Sequence, residues 1–123
     1  MPVTLVKGKE LVTPKEDFAP GIVQKEWITF PTSENLSIGY YKALPGTPDL
    51  KVDMPFEEVD YVIKGTATFS DETGNKYTVK KGDVIYISKG SKITISHSRK
   101  VGFEGLYVIT PYNWRELMKR KES

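Results

Sequence analysis

Glu58 and Asp60 stand two residues apart in the run EVDYVIK, rich in the β-branched and aromatic residues that favour strands. On a strand that spacing puts both carboxyls on one face, about 6 to 7 Å apart along the backbone. Two carboxylates in a partly desolvated cavity repel, so at least one proton affinity rises. A carboxyl raised in this way serves as a general acid or base. The bland alternative is a pair satisfied by a lysine, a tyrosine or backbone N–H groups. His97 is the only histidine of the chain. Alternation through KITISH puts Ile93, Ile95 and His97 on one face, which is expected to aim the imidazole at a cavity mouth near the acidic pair. A histidine beside carboxylates titrates near neutral pH and can shuttle a proton. As a bystander it would be exposed or hydrogen-bonded at a strand end.

Three further side chains are candidate ligand-binding groups. Tyr40 and Lys42 share one strand face and Tyr41 takes the other. A lysine inside a cavity would neutralise Glu58 or hold an anion. Tyr86, like Tyr61, is an aromatic strand residue whose hydroxyl would line a pocket if it were not simply core. Trp27, Phe30 and Trp114 read as edge or interface aromatics.

Other chemistries are thinly represented. There is no cysteine, which excludes disulfides, thiol catalysis and Cys-type zinc sites. Neither GxxxxGK[ST] nor GxGxxG occurs, which counts against nucleotide chemistry of the usual types. No Ser–His–Asp arrangement can be argued from the sequence around the single histidine. Glu58, Asp60 and His97 are the single conceivable metal set, and nothing in their spacing demands a metal. The expectation is therefore no metal and no cofactor.

The 123 residues carry 18 basic and 16 acidic side chains, a balance that points away from nucleic acid. Arg115, Lys119, Arg120 and Lys121 crowd the C-terminal stretch, as cations at a helix C-terminus do. No apolar run approaches the roughly 18 residues of a membrane span. MPVTLVKGKELV has neither an apolar signal core nor a cleavage pattern, so a cytoplasmic location is expected.

The elements that must position these residues are short strands. Turn residues recur at Pro20-Gly21, Pro45-Gly46, Gly65, Gly74-Asn75, Gly82-Asp83, Gly90 and Gly102. Between them lie IVQKEWITF, LSIGYYKAL, EVDYVIK, ATFSD, KYTVK, DVIYIS, KITISH and GFEGLYVI. Such punctuation indicates an all-β sandwich or barrel. ATFSDETGNKYTV reads as a hairpin turning at Asp71 to Asn75, and Gly65 as a bulge or corner. Residues 1–20 are expected to form an arm that pairs with a sheet edge or another subunit. Residues 21–111 form the barrel, and 112–123 a helix and tail. Asn113 is a suitable N-cap with Glu116 three residues on, and Trp114, Leu117 and Met118 fall on one helical face.

The glycine spacing carries a resemblance. Gly46, Glu58 and Gly65, then Gly82 and Gly90, fit the intervals of the two cupin motifs. The positions where those motifs carry histidines hold Val52, Met54 and Ile93; Ser88 replaces the motif proline and His97 the asparagine. The resemblance implies a cupin-type antiparallel β-barrel, or jelly roll, with a short C-terminal helix and Glu58 facing inward. PFEEVDYVIKGTATF, KGDVIYISKGSKI and LYVITPYNW are similar, over roughly residues 36 to 116, to the ethanolamine-utilization protein Q (EutQ-type) cupins. That resemblance implies a place in ethanolamine breakdown, bacterial microcompartment association and an acetate kinase activity. The absence of phosphate-binding motifs makes the last surprising.

The expected function is metal-independent binding of a small polar metabolite in the barrel. Glu58, Asp60 and His97 are the catalytic candidates, and Tyr40, Lys42 and Tyr86 the ligand-binding ones. Acid–base work on a small carboxylated or amine-bearing compound suits these groups. The alternatives are a non-catalytic sensor or assembly component and a divergent metal-dependent enzyme. The expected partners are a small molecule and a second copy in a homodimer, with no nucleic acid and no membrane.

Overall fold

The computed structural model describes residues 5, 7–11, 16–27, 35–111, 113 and 116–117. In chain order the elements are α1 (Gly8–Leu11), β1 (Glu16–Ala19), β2 (Ile22–Trp27), β3 (Ser37–Ala43), β4 (Leu50–Asp53), β5 (Glu57–Asp71), β6 (Lys76–Lys80), β7 (Val84–Ile87), β8 (Lys92–His97) and β9 (Phe103–Thr110). All strand pairings are antiparallel.

β5 organises the rest. Its first half pairs with β7 on one side and β9 on the other, and β9 continues through β3 to β2 and β1. Its second half pairs with β6 and with β8, which carries β4. One strand thus serves two sheets, and the sheets curl around a shared interior as a cupin barrel does.

The sequence reads EVDYVIK and ATFSD as separate strands, whereas β5 runs through both as one 15-residue strand. Gly65 is the expected corner, but it bends the strand without ending it. The register with β9 shifts between Val62 and Lys64. Gly65 then adopts φ +81°, and a Cβ there would lie 2.2 Å from the Gly102 carbonyl oxygen. Only glycine allows both that backbone angle and that approach. The hairpin at Asp71 forms as expected. Asp71 Oδ1 accepts from the Thr73 and Asn75 N–H groups at 2.9 and 3.1 Å, so the turn holds itself together.

β4 is absent from the sequence reading. LKVD is only four residues long and follows Pro45, Gly46 and Pro48, so propensity gives little warning of it. Its register against β8 supplies the order: Val52 pairs with Ile93. The N-terminal arm contributes β1 at the sheet edge, together with the four-residue α1. At the other end, the Glu116 and Leu117 N–H groups donate to the Asn113 carbonyl at 3.0 and 3.4 Å, which begins a helical turn where the N-cap was expected. The remainder of that helix, with Trp114 and Met118, lies outside the described residues, as does Phe30.

The core is the inward face of both sheets. Met54, Phe56, Val62, Phe69, Ile93, Ile95, Phe103 and Ile109 are all buried, and Val52 packs against them. Two of the three positions expected to have lost metal-binding histidines are therefore fully part of the apolar core, and the third lies against it. Burying each such side chain contributes about 1.5 to 3 kcal/mol relative to leaving it in water.

Candidate functional site

The inner face of β3, β9, β5 and β7 can be read row by row from the register. Ser37, Ile109, Glu58 and Ile87 face one another across the four strands; the next row is Gly39, Tyr107, Asp60 and Ile85. A third row runs from Tyr41 through Gly105 to Val62. Gly105 makes room for the tyrosine: a Cβ there would lie 3.2 Å from the Tyr41 ring and 2.9 Å from that of Phe103. The acidic pair is thus set into the barrel wall, with apolar neighbours from β7 and β9 on either side.

Asp60 is 0% exposed, and neither of its oxygens meets a hydrogen-bond partner of good geometry. Burial pushes its proton affinity well above the usual carboxylate range, and the neighbouring Glu58 pushes it further. Glu58 is also raised by burial, against a hydrogen bond with Asp60 that lowers it. Solvent still touches part of Glu58, whereas Asp60 is fully buried. Asp60 is the stronger proton holder, because its desolvation is complete.

His97 is 3% exposed, so it is buried in the barrel wall and not an exposed strand-end bystander. Its ring packs against Phe103 at 5.3 Å and, edge-on, against Tyr41 at 5.7 Å. Burial lowers its pKa to about 4, against a smaller opposing pull from Asp49. The imidazole is therefore neutral at pH 7. Its Nε2 lies 3.3 Å from the Tyr41 hydroxyl, and its Nδ1 is buried without a hydrogen-bond partner.

Tyr41 joins the two halves of the site. Burial raises its pKa well above the ordinary tyrosine value, and the charges of Asp60 and Glu58 add to the rise. It is close enough to feel both carboxyls while hydrogen-bonding His97. Tyr107, on the Asp60 row, lies 6.3 Å from it, ring to ring. The polar line therefore runs Glu58, Asp60, Tyr41, His97, and the single histidine meets the acids through a phenol.

The other three candidates lie on the outer face. Since Tyr41 points inward, alternation turns Tyr40 and Lys42 to the opposite face, where Tyr40 is nonetheless only 1% exposed and its hydroxyl donates to Glu104 across β3 and β9. Lys42 consequently cannot neutralise Glu58. Tyr86 is 58% exposed and donates to Glu57 at 2.8 Å on the outside of β5 and β7. The sequence reading passed over Tyr41 and Ser37. The available signal was the alternation in SIGYYKA: Ser37, Gly39 and Ala43 are small, as the inner face of a tightly curved barrel requires, and Tyr41 shares their parity.

The residues present do not fit the metal that many cupins hold. Val52, Met54 and Ile93 offer no ligand atom of the usual kind. Among the described residues no group of three or more His, Cys, Asp or Glu side chains is placed to hold a metal ion. A cleft of about 140 Å³ does open between the β5–β6 hairpin and β7. Phe69, Ile85, Tyr86, Ile87 and Ile93 are among the residues lining it, so the candidate Tyr86 borders this cleft, and Ile85 and Ile87 are the β7 neighbours of Asp60 and Glu58.

Comparison with known proteins agrees with this architecture. Acetate kinase EutQ of Clostridioides difficile (strain 630) is 32% identical over 93 residues, which cover 76% of this chain and 56% of that protein. The chain thus spans about half the length of that relative. The solved structure of the Clostridium difficile EutQ protein superposes with a TM-score of 0.65 at 29% identity, over 76% of this chain and 64% of that one. An RmlC-like cupin from Shewanella frigidimarina NCIMB 400 shares the fold at a TM-score of 0.69 and 14% identity, over 89% of this chain and 92% of the other. Among the described residues no helix is long and apolar enough to cross a membrane. The profile of the ethanolamine utilisation protein EutQ family matches residues 5–116, the whole barrel included, and the chain belongs to that family.

Proposed function

We propose that this protein binds a small polar metabolite of ethanolamine utilisation inside its barrel, with Glu58 and Asp60 as the central groups. The observation that carries this reading is a set of buried polar atoms short of partners: Ser37 Oγ and His97 Nδ1, which have none, and the Asp60 oxygens, which have only Glu58. Leaving such groups unpaired costs about 1 to 3 kcal/mol each. All three residues belong to the inward face of the barrel wall. An interior so arranged is poorly suited to a mere packing core and well suited to a polar guest.

Acid–base chemistry on the guest is within reach of the same groups. A protonated Asp60 can donate and a Glu58 carboxylate can accept. A phosphoryl transfer of the kind named for the relatives has less support. No phosphate-binding motif occurs in the sequence, and among the described side chains no lysine or arginine is buried where it would face a phosphoryl group.

The test is a thermal-shift and calorimetric screen of small amines, alcohols and carboxylates on the wild type and on the Glu58→Gln/Asp60→Asn double variant. Binding to the wild type that the double variant loses supports the reading. Equal responses from the two proteins would falsify it. The expected homodimer draws support from the exposed outer strip of Val59, Tyr61, Val84 and Tyr86, which the β5–β7 register brings together. Sedimentation of Tyr86→Glu against the wild type tests that surface.

A further inference from the structure

Two kinds of guest suit the proposed interior in the abstract, an amine and a carboxylate. We propose that the site selects a small primary ammonium compound carrying a hydroxyl group, held between the Glu58–Asp60 pair and Ser37, and admits it in exchange for a proton. This rests on the reading of the barrel interior as a ligand site and names the ligand class.

The first ground is the sign of the interior. Among the described residues the buried polar or charged ones are Ser37, Thr47, Asp60 and His97, with the partly exposed Glu58 beside Asp60. Among the described side chains no lysine or arginine is buried; Lys42 is on the outer face and Arg99 pairs with Asp49 at 3.8 Å at the surface. An anion entering this barrel would find no countercharge, and an unpaired buried charge is very costly. A cation finds two carboxyls.

The second ground is the count of donors and acceptors. The Asp60 oxygens have no partner in the barrel other than the neighbouring Glu58. An ammonium group carries three N–H donors and no acceptor, which matches acceptor-only carboxylates. Ser37 Oγ is 0% exposed and unpartnered. It lies on the same row as Glu58, with Ile109 between them, a separation of two strand spacings or about 10 Å between backbones. A molecule a few bonds long with a hydrogen bond of about 2.8 Å at each end would bridge a gap of that order over Ile109. A hydroxyl at its far end would both donate to and accept from Ser37.

The exchange keeps the charge balanced. A proton on a carboxyl oxygen of the pair leaves to solvent as the ammonium arrives, so the net charge of the interior does not change. The titratable groups that face the pair are Tyr41 from β3, Tyr107 from β9 and, through Tyr41, His97 from β8; β7 presents only Ile85 and Ile87 on these rows.

The experiment is isothermal titration calorimetry on the full chain with ethanolamine, ethylamine, sodium acetate and inorganic phosphate as probes. Each is run in two buffers of different ionisation heat at pH 6, 7 and 8. Ethanolamine is expected to bind with release of up to one proton per site, tightening toward tenfold per pH unit while the pair holds its proton. Ser37→Ala should weaken ethanolamine several-fold and leave ethylamine unchanged, a contrast that general structural damage would not produce. Circular dichroism confirms the folding of each variant.

If acetate or phosphate binds, amines do not, and Glu58→Gln/Asp60→Asn abolishes that binding, the ligand class is wrong while the barrel site survives. If the double variant binds ethanolamine as the wild type does, the placement is wrong and the site reading falls with it. If no probe binds, the ammonium proposal is overturned, and the wider metabolite screen alone decides the site.

Discussion

His97 makes the stability of this protein depend on pH in a way that one residue can report. Burial holds its pKa at about 4 in the folded protein, against 6.5 for the free side chain. Above pH 6.5 both states are neutral, and the group contributes nothing that depends on pH. As pH falls below 6.5 the unfolded chain takes up a proton that the folded protein refuses, and stability is lost until the folded value is reached. The difference of about 2.5 units corresponds to about 3 kcal/mol across that window, at about 1.4 kcal/mol per unit. The carboxyl pair acts in the opposite sense. Its folded values are raised, so the stability it contributes is present at low pH and is lost as pH rises through them. The wild-type curve alone therefore mixes the two, and His97→Gln separates them. Urea denaturation of both proteins from pH 7.5 to 4 should show the variant gaining about 3 kcal/mol relative to the wild type over the range. His97 is the only histidine, so one imidazole resonance in a proton NMR titration reports the same quantity directly. A midpoint at or above 6.5, or a difference between the proteins that stays flat with pH, would refute the buried neutral imidazole and with it the Tyr41–His97 link.

Other expectations follow from neighbouring parts of the structure. Asp60→Asn should be increasingly stabilising relative to the wild type from pH 5 to pH 8, measured by chemical denaturation, because it removes the carboxyl that burial penalises when ionised; a difference independent of pH would contradict the raised proton affinity. Gly65→Ala should lower stability by at least about 2 kcal/mol, since positive φ alone costs roughly 1 to 2 kcal/mol and the added Cβ meets the Gly102 carbonyl. Gly82→Ala, whose Cβ would meet nothing within 4 Å, should show the φ cost alone in the same thermal melts. Tyr86→Phe should leave ligand binding unchanged and cost less than about 1 kcal/mol, because it breaks one exposed hydrogen bond to Glu57. Elemental analysis of untagged protein grown with added manganese, iron and zinc should find far less than one metal per chain.

Glycine positions and strand composition made the barrel legible, because both express local backbone demands. Gly65 at a corner, Gly74 in a hairpin turn and the apolar parity of KITISH can be read without neighbours. β4 could not be, since a four-residue strand between proline-rich turns exists by virtue of its pairing with β8. The site was legible by halves for the same reason. Glu58 and Asp60 are recognisable because two carboxyls of one parity interrupt an apolar strand. Which tyrosine of the Tyr40-Tyr41 pair faces inward depends on the register between β3 and β9, a long-range fact. The reading that gave Tyr40 and Lys42 to the cavity chose the wrong parity, and so placed a cation where the barrel has a phenol. The depth of His97 likewise depends on Phe103 and Tyr41, which arrive from strands distant in sequence.

That phenol in place of a cation explains how the barrel tolerates Glu58 at all. In the resemblance to metal-bearing cupins, the Glu58 position is a ligand whose charge a cation offsets. Here Val52 and Ile93 pair directly across β4 and β8, and Met54 is sealed into the core, so the space for that cation is taken up by hydrocarbon. A lone carboxylate left in such a wall would have to reach water, lose its charge or gain a partner. Glu58 keeps partial contact with solvent and gains Asp60, and the two can share a proton as neither could alone. The proton takes the electrostatic place of the metal. Unlike a metal held by three imidazoles, it needs no ligands beyond the pair itself. With Val52, Met54 and Ile93 where the cupin motifs carry histidines, the counterion that suits this wall is a proton.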